Sequence, residues 1–293
     1  MSGGSEVAVR TSESSRLRVV PRIREIVAKR EVLLNLVRRE LKVKYAASLL
    51  GAVWSLLNPV VYLAVFTFVT RVLGMAIEDY PVYLLSGLLA WNLFSTALSV
   101  GSRSVVDNSN LVKKVTFPRE ILPLAAIGVA LVDYVLQMGV LVLFMLVTGL
   151  GIPIPEIALL PLAFVTLLVF ATALTFAVAA ANVRYRDVGH LLGIALLVWF
   201  WLTPIVYAEE QVEGFLEKGS ALWTAYFVNP LASVVGGLHR ALYGALGDGE
   251  ALFHVSMSWL ALVLLVVLVA SLVLLRITWG YFFARSGDFA EEL

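Results

Sequence analysis

The chain contains no cysteine in 293 residues. Disulfides, thiolate metal sites and cysteine nucleophiles are therefore excluded. Charge is scarce: Asp, Glu, Lys and Arg make up 15% of the residues, against about a quarter in an average soluble domain. Three histidines, His190, His239 and His254, lie far apart and never at i, i+4, so no zinc-binding helix is written here. No G-x-x-x-x-G-K-[ST] segment occurs, and the chain by itself cannot hold ATP in a loop of that kind. No apolar core of a signal peptide precedes residue 30, which predicts that none is cleaved. No internal repeat is visible, which removes support for an inverted-repeat transporter.

What is abundant is apolar sequence, at 60% of the residues. Residues 82–102, 157–183 and 255–275 carry no charge, and 121–151 carry only Asp133. Each run exceeds the roughly 20 residues that cross a bilayer as a helix. Residues 191–208 are also uncharged but barely long enough, and a first span is expected near 53–70. Backbone in hydrocarbon must satisfy its own hydrogen bonds, and the alternation of a barrel is absent, so these spans are helices.

Charge is placed unevenly. With the N-terminus inside and six spans, the cytoplasmic segments hold nineteen of the 22 Lys and Arg, leaving Arg71, Lys218 and Arg240 outside. The expectation is an all-α integral membrane protein with both termini cytoplasmic. Residues 1–21 read as a disordered tail, 22–50 as an amphipathic interfacial helix, 51–283 as one transmembrane domain and 284–293 as a cytoplasmic tail. In the interfacial helix Leu33, Leu36, Val37 and Leu41 form one stripe, with Arg30, Arg38, Arg39, Lys42 and Lys44 around the rest. Residues 221–238 are uncharged but broken by Asn229-Pro230. A proline in a helix interior costs about 3 kcal/mol or more, so two re-entrant half-helices are expected there rather than a seventh span.

Polar chemistry is thin. Asp248 and Glu250 form an isolated D-x-E, which reads as a solvated loop. Asp133 is the one acid inside a span, with Gln137 one turn on and no basic residue in another span, so a hydrogen bond across helices is its expected role. Two short segments of mixed charge, 106–120 and 184–190, separate apolar runs. Such loops are ordinarily just solvated, but they also suit docking of a soluble partner, where charge complementarity sets register. Rings lie along the spans: Trp54, Tyr62, Phe66, Trp91, Phe94, Trp199, Trp201 and Tyr207. They fit either an interfacial belt or a path for sugars, whose apolar faces stack on rings. Trp199 and Trp201 are about 200° apart on a helix and cannot share one lumen.

Four stretches, RRELKVKYAASLLGAVWSLLNPV (38–60), NLVKKVTFPREILPLA (110–125), NVRYRDVGHLLGIALLVWFWLTPIVY (182–207) and YFVNPL (226–231), together resemble the ABC-2 type permeases that export polysaccharides and polyol phosphates, such as O-antigen or teichoic acid. The likeness covers nearly the whole chain after residue 25, and the tail GDFAEEL (287–293) is similar to the usual ending of that family. The resemblance implies a homodimer of six-span subunits with two separate ATP-binding subunits, which carry the ATP and Mg. This chain would bind no cofactor and no nucleic acid. By match, Arg38, Arg39 and Glu40, then Asn110, Lys113, Lys114 and Arg119, then Arg184, Arg186, Asp187 and His190 would couple to the ATPase. Tyr62, Phe66, Trp91, Phe94, Trp199 and Tyr207 would line a conduit for a lipid-linked glycan, and Asn229 and Pro230 would sit in an outer gate.

The reading that follows is a transport permease of the cytoplasmic membrane, not an enzyme, exporting a lipid-linked polysaccharide or teichoic-acid-like polymer. An ABC-2 exporter of a small hydrophobic drug or lipid is the alternative. A membrane glycosyl- or acyltransferase would need His, Asp or Glu clustered near one interface. A secondary transporter would need coupling to an ion gradient.

Overall fold

The computed structural model describes residues 17–45, 53–72, 77, 79–151, 155–217, 220–244 and 252–293. The expected tail up to residue 16, residues 46–50 of the expected interfacial helix and the D-x-E at 248–250 lie outside them. In chain order the helices are α1 (Val19–Ala28), α2 (Arg30–Tyr45), α3 (Val53–Val72), α4 (Tyr80–Arg103), α5 (Ser109–Lys114), α6 (Ile121–Thr148), α7 (Leu159–Arg184, entered through a 3-10 turn at Glu156–Ala158), α8 (Val188–Trp201), α9 (Glu209–Phe215), α10 (Ala221–Val228), α11 (Pro230–Leu242), α12 (Met257–Arg285) and α13 (Phe289–Glu292). Among the described residues there is no strand. Four of the helical stretches, α4, α6, α7 with its leading turn and α12, are long and apolar enough to cross a membrane. The 14-residue α8 is apolar but shorter.

The bundle is built on α4, α6, α7 and α12. The early residues Tyr83, Leu159 and Leu260 share one core and the late residues Val105, Val183 and Phe282 another, with Phe94 stacked on Phe170 at 5.6 Å and Phe176 on Trp279 at 6.2 Å, so α4, α7 and α12 run in the same direction. Arg103, Arg184 and Arg285 then share one end of the bundle, the basic end. α6 runs the other way, with Asn92 Nδ2 of α4 donating to Gln137 Oε1 at 2.9 Å. α4 and α7 approach closely because Gly101 faces Thr175. A second core at the basic end gathers Leu36, Val105, Val112, Ile121, Val183, Trp279 and Phe289 from seven different segments.

The helical lead-in turns at Lys29 and runs as two helices. The turn lets α1 reach Glu120 while α2 follows α6. The apolar stripe of α2 is its packed face: Leu36 is buried and Val37 sits over Gly128, where a Cβ would come within 2.6 Å of its methyl. Lys44 of α2 meets Asp133 of α6 at 2.6 Å. Asp133 therefore has a cationic partner. That partner comes from the lead-in and not from another span, as the expectation had it, because α2 packs along α6.

The break at Asn229-Pro230 is present. Asn229 closes α10 and caps α11, its Oδ1 accepting from the Leu231 N–H at 3.1 Å, with Pro230 at the first helical position, where a missing N–H is harmless. Residues 202–208, between α8 and α9, are not helical yet largely buried. Their carbonyls find side chains: Tyr80 OH donates to Val206 O (3.0 Å) and Tyr83 OH to Tyr207 O (2.8 Å), while Asn229 Nδ2 donates to Leu202 O (3.3 Å). Irregular backbone at membrane depth is tolerated only where protein supplies such partners.

Packing at Gly101 has a measurable consequence. Its Cβ would overlap the methyl of Thr175, a β-branched side chain with little rotamer freedom. Gly101→Ala is expected to destabilise by about 1–3 kcal/mol. Gly139→Ala, with nothing within 4 Å of the new Cβ, is expected to be neutral or slightly stabilising. Thermal unfolding of the two variants in detergent compares them directly; equal melting temperatures would show that α4 and α7 do not pack through this contact.

Candidate functional site

The basic end is held by a buried carboxylate. Glu120 is fully enclosed and accepts from Arg22 Nε (2.8 Å), Arg22 Nη2 (2.7 Å) and Trp279 Nε1 (3.3 Å). One acid thereby ties α1, the start of α6 and α12 together. An ionised group at such a site is tolerable only when paired and hydrogen-bonded. Burial lowers the Arg22 guanidinium, but the hydrogen bond and charge of Glu120, and then of Glu25, raise it by more, so its net shift is upward. Arg39 of α2 donates to Asn108 Oδ1 and to Glu40 (2.6 Å). Asn108 is itself buried and donates to Ser104 O at 2.8 Å. Arg119 reaches Gly287 O at 3.4 Å, which links the 106–120 segment to the C-terminal tail.

Two of the three expected coupling segments, α2 and 106–120, are thus joined directly through Arg39 and Asn108. The third, 184–190, meets the same second core through Val183 at its base. Arg38, Asn110, Lys113, Lys114, Arg184, Arg186, Asp187 and His190 are all exposed, and Glu40 and Arg119 are half-buried. Arg184 lies over the Tyr185 ring at 5.5 Å. This face is a rigid surface of mixed charge, not a cluster around a cleft. Among the described residues no three His, Asp or Glu side chains could share a metal ion.

The ring residues divide. Tyr62 stacks on Phe66 at 6.0 Å and touches Phe200 at 6.4 Å; Phe200 meets Trp91 at 5.3 Å and Trp201 at 5.5 Å. α3, α4 and α8 therefore share one continuous, partly exposed ring cluster. Phe94 is wholly enclosed between Phe170 and Trp199. Trp199 packs there too, and its Nε1 donates to Asn229 Oδ1 at 2.8 Å. Trp201 is on the other side of α8 and 54% exposed. Tyr207 is half-buried, its OH donating to Trp201 O at 3.0 Å. Asn229 and Pro230 sit at the junction that this Trp199 bond pins to the end of α8.

Sequence reasoning missed three features. Glu120 sits beside Arg119 in a charged loop, and only its position immediately before a long apolar span hinted at burial. Asn108 carries no local signal. Glu209 is buried with His239: Nδ1 and Oε1 lie 2.8 Å apart, and Glu209 Oε2 accepts from the Phe253 N–H at 2.8 Å. The His239 ring stacks on Tyr83 at 3.9 Å, in space left by Gly87. No local spacing joins residues 30 apart.

Residues 31–243 match the family described as ABC-2 type transporter. The chain is 32% identical to the O-antigen export system permease protein RfbA of Myxococcus xanthus over 276 residues, 92% of this chain and 98% of that one. It is 28% identical to the protein of the same name from Klebsiella pneumoniae, over 70% of this chain and 77% of that one. The polysialic acid transport protein KpsM of Escherichia coli is 24% identical over 81% of this chain and 90% of that one. A match that begins in α2 and runs through the α4–α7 bundle to α11, with a relative aligned almost end to end, makes this chain a member of the ABC-2 type transporter family.

Proposed function

We propose that the chain is the permease subunit of an ABC exporter that moves a lipid-linked polysaccharide across the cytoplasmic membrane. ATP and Mg are held by two separate ATP-binding subunits, and a second copy of this chain completes the permease. The end-to-end 32% identity to an O-antigen export permease carries the proposal. The other relatives' names favour a polysaccharide over the hydrophobic-drug alternative. The mixed-charge face at the basic end supports docking of soluble subunits. The exposed apolar faces of α3 (Val61, Val65, Phe68) and α8 (Leu191, Ile194, Leu197) suit lipid or the second copy. Six spans are then α3, α4, α6, α7, α8 continued through 202–208, and α12, with α10 and α11 as the re-entrant outer pair. Export of a radiolabelled lipid-linked glycan into proteoliposomes, dependent on ATP and on the partner subunit, tests the proposal. Transport of a hydrophobic dye instead of the glycan would favour the drug-exporter reading.

Orientation gives a direct measurement. Single cysteines at Ser14, Ser109, Ser220 and Ser286 have no background, because the chain has none. Only the one at position 220 is expected to react with an impermeant reagent from outside. Reaction at 286 from outside would mean an odd number of spans.

Charge reversal at Asp187 tests the 184–190 loop. Asp187→Arg is expected to lower co-purification of the ATP-binding subunit and its stimulated turnover while leaving the melting temperature unchanged, because Asp187 is exposed and an exposed pair inside the subunit would contribute at most about 1 kcal/mol. Unchanged co-purification and turnover would leave the loop merely solvated.

The ring cluster makes a further prediction. Tyr62→Ala and Trp91→Ala should each reduce export with the complex still assembled. A ring that only packs would instead cost stability, about 3–5 kcal/mol for a fully buried one. Normal export by both stable variants would remove the cluster from the path.

A further inference from the structure

A cavity of about 420 Å³ opens between α2 and α4, with polar walls from Glu40, Lys44, Ser95, Thr96 and Ser99 and apolar ones from Val43, Val100 and Val129 of α6. Many hydroxyls elsewhere in the apolar helices return to their own backbone, with Thr175 of α7 a buried exception. Thr148, Thr166, Thr172 and Thr203 each donate to the carbonyl four residues back, as such side chains in helices commonly do. The Ser95, Thr96 and Ser99 hydroxyls have no hydrogen-bond partner among the described residues, although the Ser99 carbonyl accepts from Ser102 Oγ at 2.9 Å, and all three residues are partly exposed. A hydroxyl facing hydrocarbon without a partner is costly, so this face requires water or a polar ligand. Polar groups continue along it: Asn92 donates to Gln137 one turn beyond Ser95, and Trp91 of the ring cluster is adjacent.

We infer that this cavity is a binding site for uncharged sugar units, where a neutral glycan is engaged before it meets the rings. The inference rests on the export reading and names its substrate class. The charge inventory decides against an anionic ligand. The Lys44 ammonium is engaged by Asp133 at 2.6 Å, and Arg39, the cation nearest to Glu40, is bonded to Glu40 and Asn108. Among the described residues no surplus positive charge faces the cavity, and a polyanion would meet the Glu40 carboxylate, a like-charge contact that selects against it. Hydroxyls and side-chain amides both donate and accept, as sugar hydroxyls do, so they suit a neutral chain in many registers. Lipid tails would leave the same hydroxyls unsatisfied.

The test uses full-length Ser99→Cys permease assembled with its ATP-binding subunit in vesicles whose cytoplasmic face is outward. A hydrophilic, impermeant maleimide should label it. A short neutral glucan oligosaccharide at ten times its half-protecting concentration should slow labelling about tenfold, by mass action. A sialic acid oligomer of equal length should not. Failure to label, absence of protection by the glucan, or equal protection by the sialic acid oligomer each overturns the inference. As a second variant, the triple substitution Ser95→Ala, Thr96→Val, Ser99→Ala should abolish most export of a neutral glycan with assembly and melting temperature retained; full export overturns the site. The two readings separate cleanly. Glucan protection without any export in proteoliposomes upholds the sugar site and sinks the export proposal, whereas glycan export with an unreactive Ser99→Cys sinks the sugar site alone.

Discussion

A carboxylate taken out of water needs a cation or several donors, and among the described residues that constraint is satisfied at Glu120, Asp133 and Glu209. Glu120 holds Arg22 and Trp279, Asp133 holds Lys44, and Glu209 holds His239 and the Phe253 N–H. Each pairing joins segments far apart in the chain. Breaking one partner of a buried pair typically costs about 3–5 kcal/mol, so the pairings constrain where the lead-in, the loops and the broken helices can go. The basic end depends on the first of them: without Glu120, α1 has no buried anchor and α12 loses its bond to the start of α6.

This constraint also orders the molecule by function. The tightly tied basic end offers exposed charge on rigid supports, which suits force transmission from soluble subunits. The opposite half has the Glu209–His239 pair and, on its irregular backbone, hydroxyl and amide bonds from Tyr80, Tyr83 and Asn229. Such bonds contribute about 1 kcal/mol each and exchange more readily than buried ion pairs. Between the two lie the unbonded hydroxyls of α4 and the ring cluster, a wall that changes from polar to aromatic over about one helical turn.

Much of the fold was legible because hydrophobic run length and periodicity are local properties. The runs 82–102, 121–151, 157–183 and 255–275 correspond to α4, α6, α7 and α12. The Leu33–Leu36–Val37–Leu41 stripe is the packed face of α2, and Pro230 marks a real break. Trp199 and Trp201 do lie on opposite sides of α8. The candidate coupling residues were readable as charged loops, and all of them but Glu40 and Arg119 are exposed. The rings were readable only as rings: exposed Tyr62 and enclosed Phe94 carry the same sequence signal.

By itself the sequence determined the class of molecule, because the transfer cost of charge and backbone into hydrocarbon depends on composition over about 20 residues and not on neighbours elsewhere. It determined the helices and their break for the same reason. Only the tertiary structure decided which polar groups meet. Lys44 and Asp133 are 89 positions apart, and Arg22 and Glu120 are 98 apart. Pairing of that kind depends on how helices pack, through contacts such as Val37 on Gly128 and Thr175 on Gly101, and no local spacing encodes it.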